Sequence, residues 1–242
     1  MLKSLFRQIR FRAIQWHCSK RPLSMDFQRG LCILAPHPDD ETMGCGQLIS
    51  LASRLCVPCR VFIISDGSGS HRNCCNTPET DIAAGRQAYC RKAMEALGLP
   101  KDSLTFFAFP DGELSRHKKE IHNRLLEELD GQKHDIVVPH ELEGWSDHQA
   151  VHHVGRSIAT AFQCRLLSYC IWFYYSMPFR KFSQVHWNSS LILHDLDALE
   201  KKRAALEIYR NDIASCGKPY TGVLPDLLWK AVNDEQEVYF EE

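Results

Sequence analysis

What this chain lacks narrows its function before any motif is considered. No window holds the roughly 18 consecutive apolar residues that a membrane span requires, so no segment is expected to cross a bilayer. Charge of one sign is missing too. The net charge is -1 over 242 residues and the sequence pI is near 6.9, which leaves no general basic field of the kind that draws proteins to nucleic acid. A second C-x-x-C pair to complete a structural zinc site is absent, as is the glycine spacing of a dinucleotide fingerprint or a P-loop. Repeats, low-complexity tracts and clear linkers are missing, and nothing at this length demands more than one α/β domain.

Cysteine is plentiful by contrast. The 11 cysteines are odd in number and stand in a chain without a convincing signal peptide, so reduced thiols are expected rather than a disulfide framework. Cys56-Val57-Pro58-Cys59 follows a predicted helix and precedes a strand, whereas a redox C-x-x-C opens a helix. Cys74-Cys75 falls in a polar loop, and neither pair is assigned chemistry.

The locally basic stretch is N-terminal: Lys3, Arg7, Arg10, Arg12, Lys20, Arg21 and Arg29 against Asp26. Within it Leu2, Leu5, Phe6, Ile9, Ala13 and Trp16 recur at helical spacing. Residues 1–29 therefore read as a basic amphipathic segment ahead of a domain over 30–242. The helix is expected to dock on the domain's own surface, with peripheral contact to an anionic bilayer through residues 1–20 as the alternative. The expected compartment is the cytoplasm.

Hydration-hungry groups gather at one point, Pro36-His37-Pro38-Asp39-Asp40-Glu41, directly after the apolar run Leu31-Cys32-Ile33-Leu34. Three consecutive carboxylates beside an imidazole at a strand's end repel one another and are tolerated mainly when a cation neutralises them. Helical spacing from Met43 to Leu55 then predicts a helix whose N-terminus the carboxylates occupy. Further strands are predicted near 60–64, 104–109, 135–138, 168–174 and 191–194, with helices near 79–97, 114–129 and 196–213. The last of these is expected to carry Lys201, Lys202 and Arg203 on its polar side. The tail from Tyr220 to Phe240 is expected to wrap back onto the domain.

Strands alternating with helices in this way predict a single Rossmann-like α/β domain, a mostly parallel sheet covered by helices on both faces. Ligands of such sheets bind outside the carboxyl ends of the strands. Those ends here carry His37 to Glu41, Ser65 to His71, Asp111, and His140 onward, and His148 falls in the first turn of a helix begun by Ser146 or Asp147. Two imidazoles and a carboxylate suit a hydrolytic zinc ion with an open position, and His37, Asp40 and His148 supply that set. Asp39, adjacent to the metal, is then placed to take a proton from water.

These residues also carry a resemblance. Pro36-His37-Pro38-Asp39-Asp40-Glu41 followed by Gly44-Cys45-Gly46, then Ser65-Asp66-Gly67, Pro110-Asp111-Gly112 and Asp147-His148-Gln149-Ala150-Val151 are similar to the LmbE-like or PIG-L de-N-acetylases. The resemblance runs from about Leu31 onward. It implies a Rossmann-like domain with one Zn2+ ion, or another divalent ion such as Fe2+, that removes an acetyl group from an amino-sugar nitrogen. His37, Asp40 and His148 would be the metal ligands and Asp39 the general base. Arg86 and Asp111 would stand on the substrate side, with Glu41 and Asp147 supporting the metal site, and Trp145, where the chain departs from the family, reads as a wall on which a sugar ring stacks. Many relatives have His at the position of Trp145, where it protonates the leaving amine or stabilises the oxyanion, and Glu at that of Tyr89. His140 is the first candidate to replace that acid, ahead of His71 and His152. The expected substrate is an N-acetylglucosamine-containing glycan, glycolipid or glycoconjugate, some of them lipid-linked. The alternative is a noncatalytic sugar- or metal-binding member of the same fold, motivated by Trp145.

Overall fold

The computed structural model describes residues 2–18, 21–24, 29–72, 74–132, 134–217 and 224–242. Lys20, Asp26 and Tyr220, and the side chains of Leu2 and Lys3, lie outside the described residues and side chains.

In chain order the strands are β1 (Gly30–Ala35), β2 (Cys59–Ser65), β3 (Leu104–Phe109), β4 (His134–Pro139), β5 (Leu166–Tyr169), β6 (Ser190–Leu193) and β7 (Glu237–Glu241). The helices are α1 (Leu2–His17), α2 (Asp40–Arg54), α3 (Glu79–Leu97), α4 (Lys118–Leu129), α5 (Ser146–Phe162), the single turn α6 (Phe173–Ser176), α7 (Leu196–Ile208) and α8 (Asp226–Val232). The strands form one sheet in the order β3-β2-β1-β4-β5-β7-β6. The first five run parallel, and β7 runs antiparallel to both β5 and β6.

Strand β1 is buried along its whole length, as a continuous apolar run in a two-sided sheet should be. Its residues alternate between two cores. Leu31, Ile33 and Ala35 pack with Leu48, Cys90 and Leu206 from α2, α3 and α7, while Cys32 and Leu34 pack with Ile121, Val151 and Ile158 from α4 and α5. This alternation is the physical basis of helices on both faces. It agrees with the predicted α/β architecture. From β1 the order proceeds outward through β2 and β3 on one side and through β4 and β5 on the other. The strand order therefore reverses between β1 and β4, and a crevice opens at their carboxyl ends.

Four local expectations need correction. The strand expected over 168–174 ends at Tyr169, because the Glu143 carboxylate accepts the amides of Ile171 and Phe173 and takes those donors out of any ladder. The helix expected to reach Ile213 stops at Ile208, and Lys202 points inward from it. Its ammonium is buried against Glu237 Oε1 at 2.8 Å and the Met43 carbonyl at 2.9 Å. The tail does more than wrap the surface, since Glu237–Glu241 enters the sheet between β5 and β6. Finally, α1 docks through a face other than the predicted stripe. Phe11, Ile14 and Cys18 are buried with Phe173 and Tyr174, while Leu5, Phe6, Ile9 and Trp16 remain exposed.

Candidate functional site

The chain leaves β1 at Ala35 and turns sharply before α2. His37 closes the turn by its own amide, which donates to Asp40 Oδ2 at 3.0 Å, and the same oxygen lies 3.0 Å from His37 Nδ1. Asp39 between them adopts φ 146°, a region that costs an L-residue about 1–3 kcal/mol. Two buried groups hold it there. Glu41 Oε2 accepts the Asp39 amide at 2.8 Å, and Arg86 donates to Asp39 Oδ1 at 2.9 Å.

Glu41 thus braces the turn from within the protein. Its other oxygen accepts Tyr209 Oη–H at 2.6 Å and Thr42 Oγ1–H at 2.7 Å. Burial raises its pKa even against those donors. Arg86 is buried, and besides Asp39 it donates to the carbonyls of Gly67 at 2.8 Å and Pro38 at 3.0 Å. Gly67 is required for that approach, since a Cβ there would stand 2.8 Å from the guanidinium at a φ of +69°.

His148 arrives from the start of α5, across the crevice. Its Nε2 lies 3.4 Å from Asp40 Oδ2 and its Nδ1 lies 2.6 Å from Glu143 Oε2. One atom each from His37, Asp40 and His148 falls within 4.8 Å of the others. The far side of the His37 ring, Nε2, faces Asp111 Oδ1 at 3.2 Å and Asp147 Oδ2 at 3.4 Å. Each imidazole thus turns one nitrogen to Asp40 and the other to further carboxylate, the arrangement that fixes tautomer and ring orientation in metal-binding histidines.

The set fits a divalent cation. Although burial alone would pull both imidazoles down, the hydrogen bonds that Asp111, Asp147 and Asp40 accept raise His37 well above its ordinary value, and Asp40 and Glu143 raise His148 to about 9. Burial likewise opposes ionisation of Asp40, yet His148 and His37 hold it well below the usual carboxylate range. The carboxylates around these imidazoles favour positive charge at this point, which a divalent cation would supply. His37, Asp111 and Asp147 also fall within 4.8 Å of one another, but their carboxylates are engaged. Asp111 accepts the amide of Gly69 at 2.9 Å, and Asp147 accepts those of Gly112 at 2.8 Å and Leu114 at 3.2 Å. Asp40 Oδ2 also accepts an amide, that of His37, but His37, Asp40 and His148 are the better donors because they bring two imidazoles to one carboxylate.

Above them opens a cleft of about 440 Å³, within the range of small-molecule sites. Asp39, Arg86, Asp111, Asp147 and Trp145 line it, and Trp145 packs against Trp172 with ring centroids 4.9 Å apart. His140, expected as the acid, is not in this cleft. It lines a separate cavity of about 980 Å³ with Arg21 and Arg156. Its ring lies between Phe173 and Phe240, and its Nδ1 accepts the Leu142 amide at 3.1 Å. The reason is steric and local, since Nδ1 caps the 3-10 turn Glu141–Glu143 and so turns the ring away from the crevice. His71 and His152 are buried and do not line the cleft either.

Tyr89 also stands outside the cleft, its hydroxyl donating to the Asp212 carbonyl at 2.6 Å. Glu143 and Tyr209 were not foreseen from the sequence. A carboxylate shortly before a ligand-type histidine was the available signal for Glu143, but Glu141, two residues earlier, offered the same signal. Tyr209 offered none.

The sequence profile described as PIG-L, GlcNAc-PI de-N-acetylase, matches residues 32–159, more than half of the chain. No curated protein matches significantly in sequence. Among solved structures, a zinc-inhibited form of teicoplanin deacetylase Orf2 is similar at TM-score 0.69 and 12% identity, covering 87% of this chain and 97% of its own. The N,N'-diacetylchitobiose deacetylase of Pyrococcus horikoshii is similar at TM-score 0.58 and 17% identity, covering 95% and 82%. GalB, a 4-carboxy-2-hydroxymuconate hydratase of Pseudomonas putida, shares the fold at TM-score 0.57 and 13% identity, covering 88% and 95%. At such identities the likeness is one of fold, and the hydratase shows that this fold alone does not choose the reaction.

Proposed function

Since the chain belongs to the PIG-L family of GlcNAc-PI de-N-acetylases, we propose that it hydrolyses the N-acetyl amide of an amino sugar in a glycan, glycolipid or other glycoconjugate. One observation carries the reading: the ligand-type atoms of His37, Asp40 and His148 converge within 4.8 Å on the floor of a cleft that Asp39 also lines. A zinc ion held there would supply Lewis acidity, lowering the pKa of a water molecule and polarising the amide carbonyl. The same donors accept Fe2+.

The chain's own residues do the rest. Asp39 takes the proton of the attacking water, and its buried ion pair with Arg86 together with the Glu41 contact fixes the carboxylate in place. Asp111 and Glu143 orient the two imidazoles, and Asp147 steadies the turn above His37. Trp145 and Trp172 form an aromatic wall on which a sugar ring can stack. Among the described residues that line the cleft the imidazoles are His37 and His148, both assigned to metal. Asp39 is the group left to return the proton to the departing amine. Exposed Leu5, Phe6, Ile9 and Trp16 on α1 extend the proposal to peripheral contact with an anionic bilayer and a lipid-linked substrate.

Acetate release from a panel of N-acetylglucosamine-containing glycans tests this. Asp39→Asn is expected to lower kcat by about 10²–10⁴-fold with zinc content unchanged. Metal bound without turnover on any member of the panel would favour a noncatalytic binding protein. Full activity in His37→Ala would sink the metal-centre reading.

A further inference from the structure

None of the 11 cysteines is joined in a disulfide, and six of them, Cys18, Cys32, Cys45, Cys59, Cys90 and Cys170, are core residues. Cys74 and Cys75 are different. They lie just beyond the 3-10 turn Ser68–His71, and the structure brings to them a third thiol from far along the chain, Cys216. One sulfur from each falls within 4.8 Å of the other two. Three sulfurs bound to one ion at about 2.3 Å stand roughly 4 Å apart, so side-chain rotation alone closes the gap.

The two segments are already tied beside the sulfurs. Thr77 Oγ1 accepts the Ser215 amide at 2.8 Å and lies 2.9 Å from Ser215 Oγ, while the Cys75 thiol reaches Thr77 Oγ1 at 3.5 Å. Cys74 is exposed and the other two half-buried, which gives an ion a way in. Among the described residues this is the one thiol cluster of metal-ligating size.

We infer that Cys74, Cys75 and Cys216 form a second metal site, a three-thiolate site for a thiophilic closed-shell ion such as Zn2+ or Cu+. Soft thiolate donors select such ions, whereas the two imidazoles and the carboxylate of the cleft are a harder set. Binding releases the thiol protons and joins the segment after Ser70 and Arg72, which line the cleft, to the segment after α7. The second ion is therefore a clasp beside the mouth of the cleft.

The test uses the full chain, reduced and stripped of metal, titrated with Co2+ as a spectroscopic probe. A sulfur-to-cobalt charge-transfer band is expected in the wild type and in His148→Ala, whose cleft site is impaired. Cys75→Ser and Cys216→Ser are each expected to lose the band while keeping a wild-type circular dichroism spectrum. Displacement of the band by Zn2+ or by Cu+ then ranks the two ions. Absence of the band in folded wild-type protein overturns the inference, as does a band that survives both serine variants. If either serine variant unfolds, thiol counting on the wild type decides: Zn2+ must protect Cys74, Cys75 and Cys216 from alkylation, and their full labelling overturns the site. Loss of the band in His148→Ala while both serine variants keep it would also overturn the inference.

Discussion

His148 owes its orientation to Glu143, a residue with no exposed surface whose second oxygen also binds the amides that end β5. Replacing it with Gln keeps the shape but weakens the acceptor. Glu143→Gln is therefore expected to lower zinc affinity at the cleft by about 10–100-fold, measured by competition with a chromophoric chelator. Unchanged affinity would remove Glu143 from the site. His140 makes a different claim. Burial, then the charges of His152 and Arg156, push its imidazole down to about 3, so it is neutral in the folded protein. The unfolded chain binds the extra proton once pH falls below about 6.5. The stabilisation is present in full above that value and is lost as pH falls toward about 3, at up to about 1.4 kcal/mol per pH unit. The fall in denaturation free energy between pH 6.5 and 4.5 should be shallower by about 2–3 kcal/mol in His140→Leu, and equal slopes would contradict the burial argument. His37 and Asp40 were legible in the sequence because their acidic turn follows an apolar strand directly. The turning of His140 away from the crevice was not, because it depends on a cap that its own side chain makes two residues downstream.

Lys202 and Glu237 join α7 to β7, and Glu237 also accepts the α2 amides of Gln47 at 2.7 Å and Leu48 at 3.1 Å. Three elements therefore meet on one buried ion pair. Lys202→Met should cost about 3–5 kcal/mol, because it strands a carboxylate. Adding Glu237→Gln should recover part of that loss, and the two denaturation midpoints in urea check it. No recovery would mean that the cost lies in packing against Gly46 and not in charge. At this scale the parallel half of the sheet was readable, since β1, β2 and β4 are near-continuous apolar runs bounded by turn residues. Lys202 was not, because Lys201-Lys202-Arg203 reads as a solvated face until its partner on a later strand is known. The end of β5 was hidden for the same reason, since Glu143 ends it from another segment.

For the molecule as a whole, the reversal of strand order between β1 and β4 sets the cleft, and helices on both faces leave the carboxyl ends of the strands open. The N-terminal helix adds a surface whose apolar residues face outward. Flotation with phosphatidylserine vesicles should recover wild-type protein and leave Phe6→Glu/Ile9→Glu behind, and equal partitioning would exclude membrane contact through α1. That prediction draws on a stripe visible in the sequence, although the face that docks is another one. The placement of β7 also bears on biogenesis. Within the described sheet β7 is the ladder neighbour of β6, whose other side is bridged by residues 21–23, so Ser190–Leu193 leaves the ribosome with the side meant for β7 unpaired. At synthesis rates of about 5–20 residues per second, it stays an open edge for a few seconds until Glu237–Glu241 emerges. During that interval a second nascent chain can occupy the seat meant for β7, so losses during expression should depend on how crowded the translating messages are.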